Sequence, residues 1–227
     1  MREPHQPLWT LLSVLYKPHP WHGISPGDLA PHVVQAFIEV VPSDTVKYEI
    51  DKVSGYLRVD RPQKYSNVCP ALYGFIPQTY CGEAVAAFSA EKTGFALEGD
   101  GDPVDVCVLT DRRIEHGNLV VECIPIGGFR MLDGDEVDDK VIAVLKDDAT
   151  YGNVTDITEI SESVLDRLRH YFLTYKQAPG EAHSSCRITH TYGREDAQMV
   201  IELSFQDYKQ RFGDLESILS EALSVMR

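Results

Sequence analysis

Apolar residues in the first two thirds of the chain fall in short runs rich in β-branched side chains. These are Val33 to Val41, Val46 to Ile50, Tyr56 to Val59, Val104 to Leu109, Leu119 to Ile124 and Val141 to Leu145. Runs of this length and composition fit strands. Turn residues separate them at Pro42-Ser43-Asp44, Ser54-Gly55, His116-Gly117-Asn118 and Gly127-Gly128, where a fixed or permissive φ allows a tight reversal. Short, evenly spaced strands predict a small closed antiparallel β-barrel. Helical spacing begins later, with Leu165, Leu168, Phe172 and Tyr175, then Ala197, Val200, Ile201, Phe205, Tyr208 and Phe212. Strands first and helices last predict an α+β fold with helices packed outside the barrel. A last stripe, Leu215, Ile218, Leu219, Ala222, Leu223 and Met226, follows the helix-start signal Gly213-Asp214. It predicts a C-terminal amphipathic helix, for which docking on its own domain is favoured over a role in oligomer contact or partner binding.

Composition narrows the picture. At 227 residues and 43% hydrophobic content the chain can bury a full core. It is expected to form one domain over 1–227: an N-terminal arm at 1–32, a core at 33–212 and the C-terminal helix at 213–227. Acidic residues outnumber basic ones, 35 to 21, for a formal charge of -14. A nucleic-acid backbone binder would need the opposite balance. An acidic chain that handles an anionic substrate needs metal ions to invert the local field, so carboxylate clusters are the features to examine. Cys69, Cys81, Cys107, Cys123 and Cys186 are odd in number and scattered, without a C-x-x-C pair, which fits a reduced cytoplasm rather than zinc binding. Leu8 to Tyr16 has the apolar character of a signal-peptide core, but Thr10 and Ser13 interrupt it and Lys17-Pro18 ends it. It is read as a packing arm, and no other run is long enough for a membrane span.

Three carboxylates fall within Asp100-Gly101-Asp102-Pro103-Val104-Asp105. The Gly and Pro form a sharp turn that can aim them at one point, and hard oxygen ligands on such a turn suit Mg²⁺. An EF-hand loop would need a ligand at Val104, a Gly at Asp105 and a Glu at Asp111, so that reading fails. A haloacid-dehalogenase-like Asp-x-Asp would end a hydrophobic strand, whereas Glu98-Gly99 precede this one. The bland alternative is a solvated acidic turn. A second set, Asp133, Asp135, Glu136, Asp138 and Asp139, leads into Lys140, and Glu39 and Glu49 lie on predicted strands. Buried carboxylates need cations. Lys47, Arg61, Lys140 and Lys176 are available, with Tyr73 and Tyr175 as hydroxyl donors. Each has a bland reading of its own, Lys47 as a strand-edge charge, Arg61 as a partner of Asp60 or Asp51, and Tyr175 as a core aromatic with a wet tip.

In order and spacing these residues resemble the family I soluble inorganic pyrophosphatases, whose loop D-x-D-P-x-D is present as Asp100, Asp102, Pro103 and Asp105. The likeness continues through Phe37-Ile38-Glu39, Val46 to Lys52, Val59-Asp60-Arg61, Leu72 to Pro77, Asp133 to Val144 and His170 to Lys176. A match in order over roughly residues 33 to 176 is far more specific than a lone motif.

The resemblance implies an OB-like, five-stranded barrel and a magnesium-dependent enzyme, with Mn²⁺ as a possible substitute, that hydrolyses pyrophosphate to two orthophosphates. It implies that Asp100, Asp105 and Asp138 bind activating metals and that Asp133 binds metal arriving with substrate. Glu39 and Glu49 would hold metal more loosely, through water, and Asp102 would take the proton from the attacking water. Lys47, Arg61, Tyr73, Lys140, Tyr175 and Lys176 match the phosphate-holding groups. No active-site position of the family pattern is missing. The implied partners are a small-molecule substrate and further copies of the chain, with neither nucleic acid nor membrane. The departures are at the edges: Tyr80 to Gly99 is longer than in compact bacterial members, and the arm and C-terminal helix lie outside the match. Two competing readings remain at this point: a non-catalytic β-barrel binding module and a nucleotide pyrophosphohydrolase.

Overall fold

Residues 17–177 and 185–213 are described in the computed structural model. The predicted C-terminal helix therefore lies outside the described residues, apart from Gly213. The strands are β1 (Val34–Val40), β2 (Val46–Ile50), β3 (Leu57–Pro62), β4 (Leu72–Phe75), β5 (Glu98–Gly99), β6 (Asp105–Leu109), β7 (Leu119–Asp133), β8 (Glu136–Val137), β9 (Lys140–Leu145) and β10 (Cys186–Gly193). The helices are α1 (Glu83–Thr93), α2 (Glu162–Thr174) and α3 (Arg194–Phe212), with a 3₁₀ turn at Ile157–Glu159.

Strands β1, β4, β6, β9 and β7 pair in that order, and β7 pairs back onto β1, so the sheet closes into a ring. Closure removes the open edges that a flat sheet would expose. The 15-residue β7 makes it possible. Its first residues pair with β1, its middle with β9 and its last half with β10. Strands β2 and β3 form a separate two-stranded hairpin.

Four expectations are corrected. The ring is not wholly antiparallel, because β6 and β9 run parallel, Asp105 beside Lys140. Strand Leu119 to Ile124 runs on to Asp133, so Gly127-Gly128 is not a turn. Those glycines admit Tyr192 of β10: a Cβ at Gly127 would lie 2.5 Å from its carbonyl oxygen, and one at Gly128 would lie 2.4 Å from its hydroxyl. Strands and helices are interleaved rather than segregated, since α1 interrupts the strand-rich part and β10 separates α2 from α3. The strand placed at Tyr56 to Val59 is β3, which spans Leu57–Pro62.

Side-chain alternation along the ring divides the core. One cluster joins Val34, Ala36, Leu72, Val106, Leu132 and Val141 to Val85 of α1 and Val200 and Ile201 of α3. Another joins Cys107, Phe129, Met131 and Ile142 to Leu165, Leu168 and Phe172, the predicted stripe of α2. Met131 and Leu132, adjacent on β7, serve different clusters, as the period of two requires. Close approach is tightest at Gly74 of β4, where a Cβ would lie 1.8 Å from the Phe37 carbonyl oxygen.

Helix α1 starts at Gly82, which has no side chain to cap it. Asp207, buried on α3, replaces the missing cap: one carboxylate oxygen accepts from the amides of Gly82 (3.0 Å) and Val85 (3.1 Å), the other from Ala84 (2.9 Å). The first-turn amides of a helix have no internal partner, so this contact fixes where α1 begins. Asp207→Ala is expected to destabilise the protein by about 2 kcal/mol, read as a lower urea midpoint with unchanged slope.

Candidate active site

The site sits where the ring meets the hairpin, and the parallel β6–β9 pairing decides its place. Parallel strands start at the same end, so Asp105 and Lys140, the first residues of β6 and β9, lie side by side. An antiparallel pairing would have separated them. Tyr73 of β4 donates to Asp105 across 2.6 Å. Lys140, 1% exposed, has its ammonium on both Asp105 and Asp138, with the Phe172 ring 5.7 Å away.

Around this pair opens a cavity of about 330 Å³. All thirteen residues to which the resemblance gives a role line it: Glu39, Lys47, Glu49, Arg61, Tyr73, Asp100, Asp102, Asp105, Asp133, Asp138, Lys140, Tyr175 and Lys176. The turn at 100–105 is shaped as its sequence suggests, with Gly101 at φ +74° and the Asp102 amide donating to Asp100 across 2.9 Å. Glu39, buried on β1, accepts from the Ile50 amide at 2.7 Å and so joins the ring to the hairpin. Hairpin strands β2 and β3 bring Lys47, 3.3 Å from Asp60, and Arg61, 2.6 Å from the same carboxylate. The end of α2 presents Tyr175, whose ring lies 5.7 Å from Arg61 and 5.5 Å from Lys176, and Lys176 in turn pairs with Asp133 at 2.6 Å.

Sequence reasoning gave no chemical role to three charged residues that also line the cavity: Lys52, Asp60 and Glu136. Lys52, in the turn after β2, has its ammonium on Asp102. Its sequence signal was only its place in the matched run Val46 to Lys52, and the contact across 50 residues has no local signature. Asp135 and Asp139, from the second acidic set, do not line the cavity.

Nine carboxylates line the cavity against five cationic side chains, so the donor set is rich in hard oxygen and short of positive charge. Burial, with the nearby Asp138, pushes the Asp100 carboxyl up to about 8. Burial likewise pushes Glu39 up to about 8 and raises Asp138. Asp133 moves the other way: its partial burial, which would raise it, is outweighed by the hydrogen bond and charge of Lys176 together with hydrogen bonds from Ser185 and Cys186. Buried carboxylates raised in this way are stabilised by any cation brought among them. Among the described residues no three acidic, His or Cys side chains are gathered closely enough, as placed, to hold a metal ion. Lysine ammonium groups stand between Asp105 and Asp138 and on Asp102.

Comparison with known proteins agrees with this arrangement. A family model described as inorganic pyrophosphatase matches residues 36–209. The inorganic pyrophosphatase of Chlamydia trachomatis serovar L2 is 47% identical over 201 residues, covering 86% of this chain and 95% of that protein. Soluble inorganic pyrophosphatase 2 of Chlamydomonas reinhardtii is 35% identical, covering 86% of this chain and 90% of its own length. The crystal structure of the inorganic pyrophosphatase from Thermus thermophilus superposes with a TM-score of 0.70 at 30% identity, covering 85% of this chain and 99% of that one. Motif, ring-closed sheet and overall likeness agree, and the chain belongs to the family of soluble inorganic pyrophosphatases.

Proposed function

We propose that this chain hydrolyses inorganic pyrophosphate to two orthophosphates, with Mg²⁺ as its activating metal and Mn²⁺ as a substitute. The observation that carries the reading is the convergence on one cavity of a carboxylate excess and a Lys, Arg and Tyr set drawn from the ring, the hairpin and the end of α2. The all-oxygen acidic set and its shortage of cations fit Mg²⁺. Asp100, Asp105 and Asp138 would hold activating metal, Asp133 metal arriving with substrate, and Glu39 and Glu49 metal through water. Magnesium held by these carboxylates would supply charge neutralisation for the substrate and a lowered pKa for water at the site.

Asp102 then acts as general base, taking a proton onto a carboxylate oxygen. Its side chain is 42% exposed, so it can reach solvent water. The Lys52 ammonium that covers it is 44% exposed. Solvent screening makes such a pair weak, and an arriving polyanion can draw the lysine away. Arg61, Tyr73, Tyr175 and Lys176 hold the departing phosphate and stabilise the charge that develops on it. Lys47 and Lys140 grip the other.

We read the five-strand ring as an OB-like barrel within a single domain over 1–227, working in the cytoplasm as a homo-oligomer. Cys69, Cys81, Cys107 and Cys123 are buried free thiols, which supports a reducing compartment. Exposed Val53, Tyr56, Val59 and Tyr65 on and beside the hairpin support self-association. No helix among the described residues is long and apolar enough to cross a membrane.

Phosphate release from pyrophosphate with Mg²⁺ tests the reading. Asp102→Asn is expected to lower kcat by about 10²- to 10⁴-fold, and a variant as fast as wild type would exclude Asp102 as the base. Removing metal with EDTA is expected to abolish turnover, and added Mg²⁺ to restore it. Full activity in EDTA would sink the metal assignment.

A further inference from the structure

Asp138 and Lys140 face the cavity, but Asp139 between them does not line it and is 6% exposed. Neighbours in extended chain point to opposite sides, so Asp139 enters the core behind the site. There its carboxylate lies 3.0 Å from Nη1 of Arg130, a β7 residue with no exposed surface. We propose that Arg130 and Asp139 form a positioning pair that sets where Asp138 and Lys140 stand in the cavity. The inference rests on the pyrophosphatase reading.

Arg130 is held from several directions. Its Nη1 donates to the Ser89 hydroxyl at 2.7 Å, and its Nη2 lies 3.6 Å from Asp196. The Phe88 ring centroid is 5.0 Å and the Tyr192 centroid 4.7 Å from the guanidinium carbon. Phe88 and Ser89 belong to α1, Tyr192 to β10 and Asp196 to the first turn of α3. None of these residues lines the cavity. Three elements outside the ring therefore fix Arg130, and Arg130 fixes Asp139. The backbone anchors of this short stretch are the Asp138 amide on the Met131 carbonyl, 3.0 Å, and the start of the β9 ladders at Lys140. Without the ion pair the stretch can shift between those anchors, carrying Asp138 and Lys140 with it. A working site tolerates displacements of only about 0.5 Å. Apolar packing often stabilises a core at least as well as a buried ion pair does. Stability therefore gives no reason for a charge pair here, whereas its place between two cavity residues does.

The test compares wild type, Arg130→Lys, Asp139→Asn and the double variant Arg130→Met/Asp139→Ala, which leaves neither member of the pair charged. Measurements are the melting temperature, kcat and KM for pyrophosphate with Mg²⁺, and calorimetric Mn²⁺ binding without substrate. The double variant is expected to melt cooperatively, yet lose about tenfold or more in kcat and in Mn²⁺ affinity. Arg130→Lys, which can keep the pair, should stay within about threefold of wild type on both. A double variant with wild-type kcat and Mn²⁺ affinity overturns the inference, whatever its melting temperature. Should the double variant not fold, Asp139→Asn decides, because it keeps the shape and removes the charge: weakened Mn²⁺ binding is expected, and unchanged binding overturns the pair. A wild-type chain that releases no phosphate overturns the pyrophosphatase reading and this inference with it. Normal wild-type turnover beside an unaffected variant overturns this one alone.

Discussion

A lysine with 1% of its surface exposed, seated on two carboxylates at the end of a closed sheet, is the constraint around which the rest is arranged. Burying an ammonium group is costly unless opposite charge is brought close. Here Asp105 arrives by the parallel pairing of β6 with β9, and Asp138 by the short link between β8 and β9. Proximity to these two raises the Lys140 pKa well above its usual value although burial alone would lower it. The ring must close as it does for these charges to meet, and β7 must be long enough to reach both β1 and β9. Sheet topology and site electrostatics are one problem with one solution.

A chain of net charge -14 nonetheless builds a site suited to a polyanion. It concentrates cations locally, at Lys47, Lys52, Arg61, Lys140 and Lys176, and leaves the carboxylate excess to be balanced by metal. The cations differ in exposure. Lys140 belongs to the ring and is enclosed, whereas Lys52 and Arg61 belong to the hairpin and are partly exposed. Glu39 joins the two parts through its hydrogen bond to the Ile50 amide. Under the proposed function, an enclosed acidic floor beneath a more exposed cationic wall suits a reaction in which two charged products must leave.

The segment from Tyr80 to Gly99 has a structural reason to be long. Its helix α1 is started by Asp207 of α3 and supplies Phe88 and Ser89 around Arg130. Helices that look peripheral in the element order therefore bear on the back of the site. Apolar residues of α1, most of them small alanines, fall on all sides of the helix and blur the stripe that would announce it. Strand β10 was hidden for the opposite reason, since Arg187, Thr189, His190 and Thr191 make it read as polar, and only Cys186 and Tyr192 are buried.

The sequence by itself determined which residues could do chemistry. The Asp100 to Asp105 turn, the acidic set before Lys140 and the scattered Lys, Arg and Tyr positions were legible because their types, order and local turns are covalent properties of the chain. The stripes of α2 and α3 and most strands were legible as well, since periodic burial is written locally. Only the tertiary structure decided strand direction, the run of β7 through Gly127-Gly128, the contact of Lys52 with Asp102 and the Arg130–Asp139 pair. Each depends on a meeting between distant segments, where pairing geometry and the cost of buried charge select one arrangement among many that the local pattern allows.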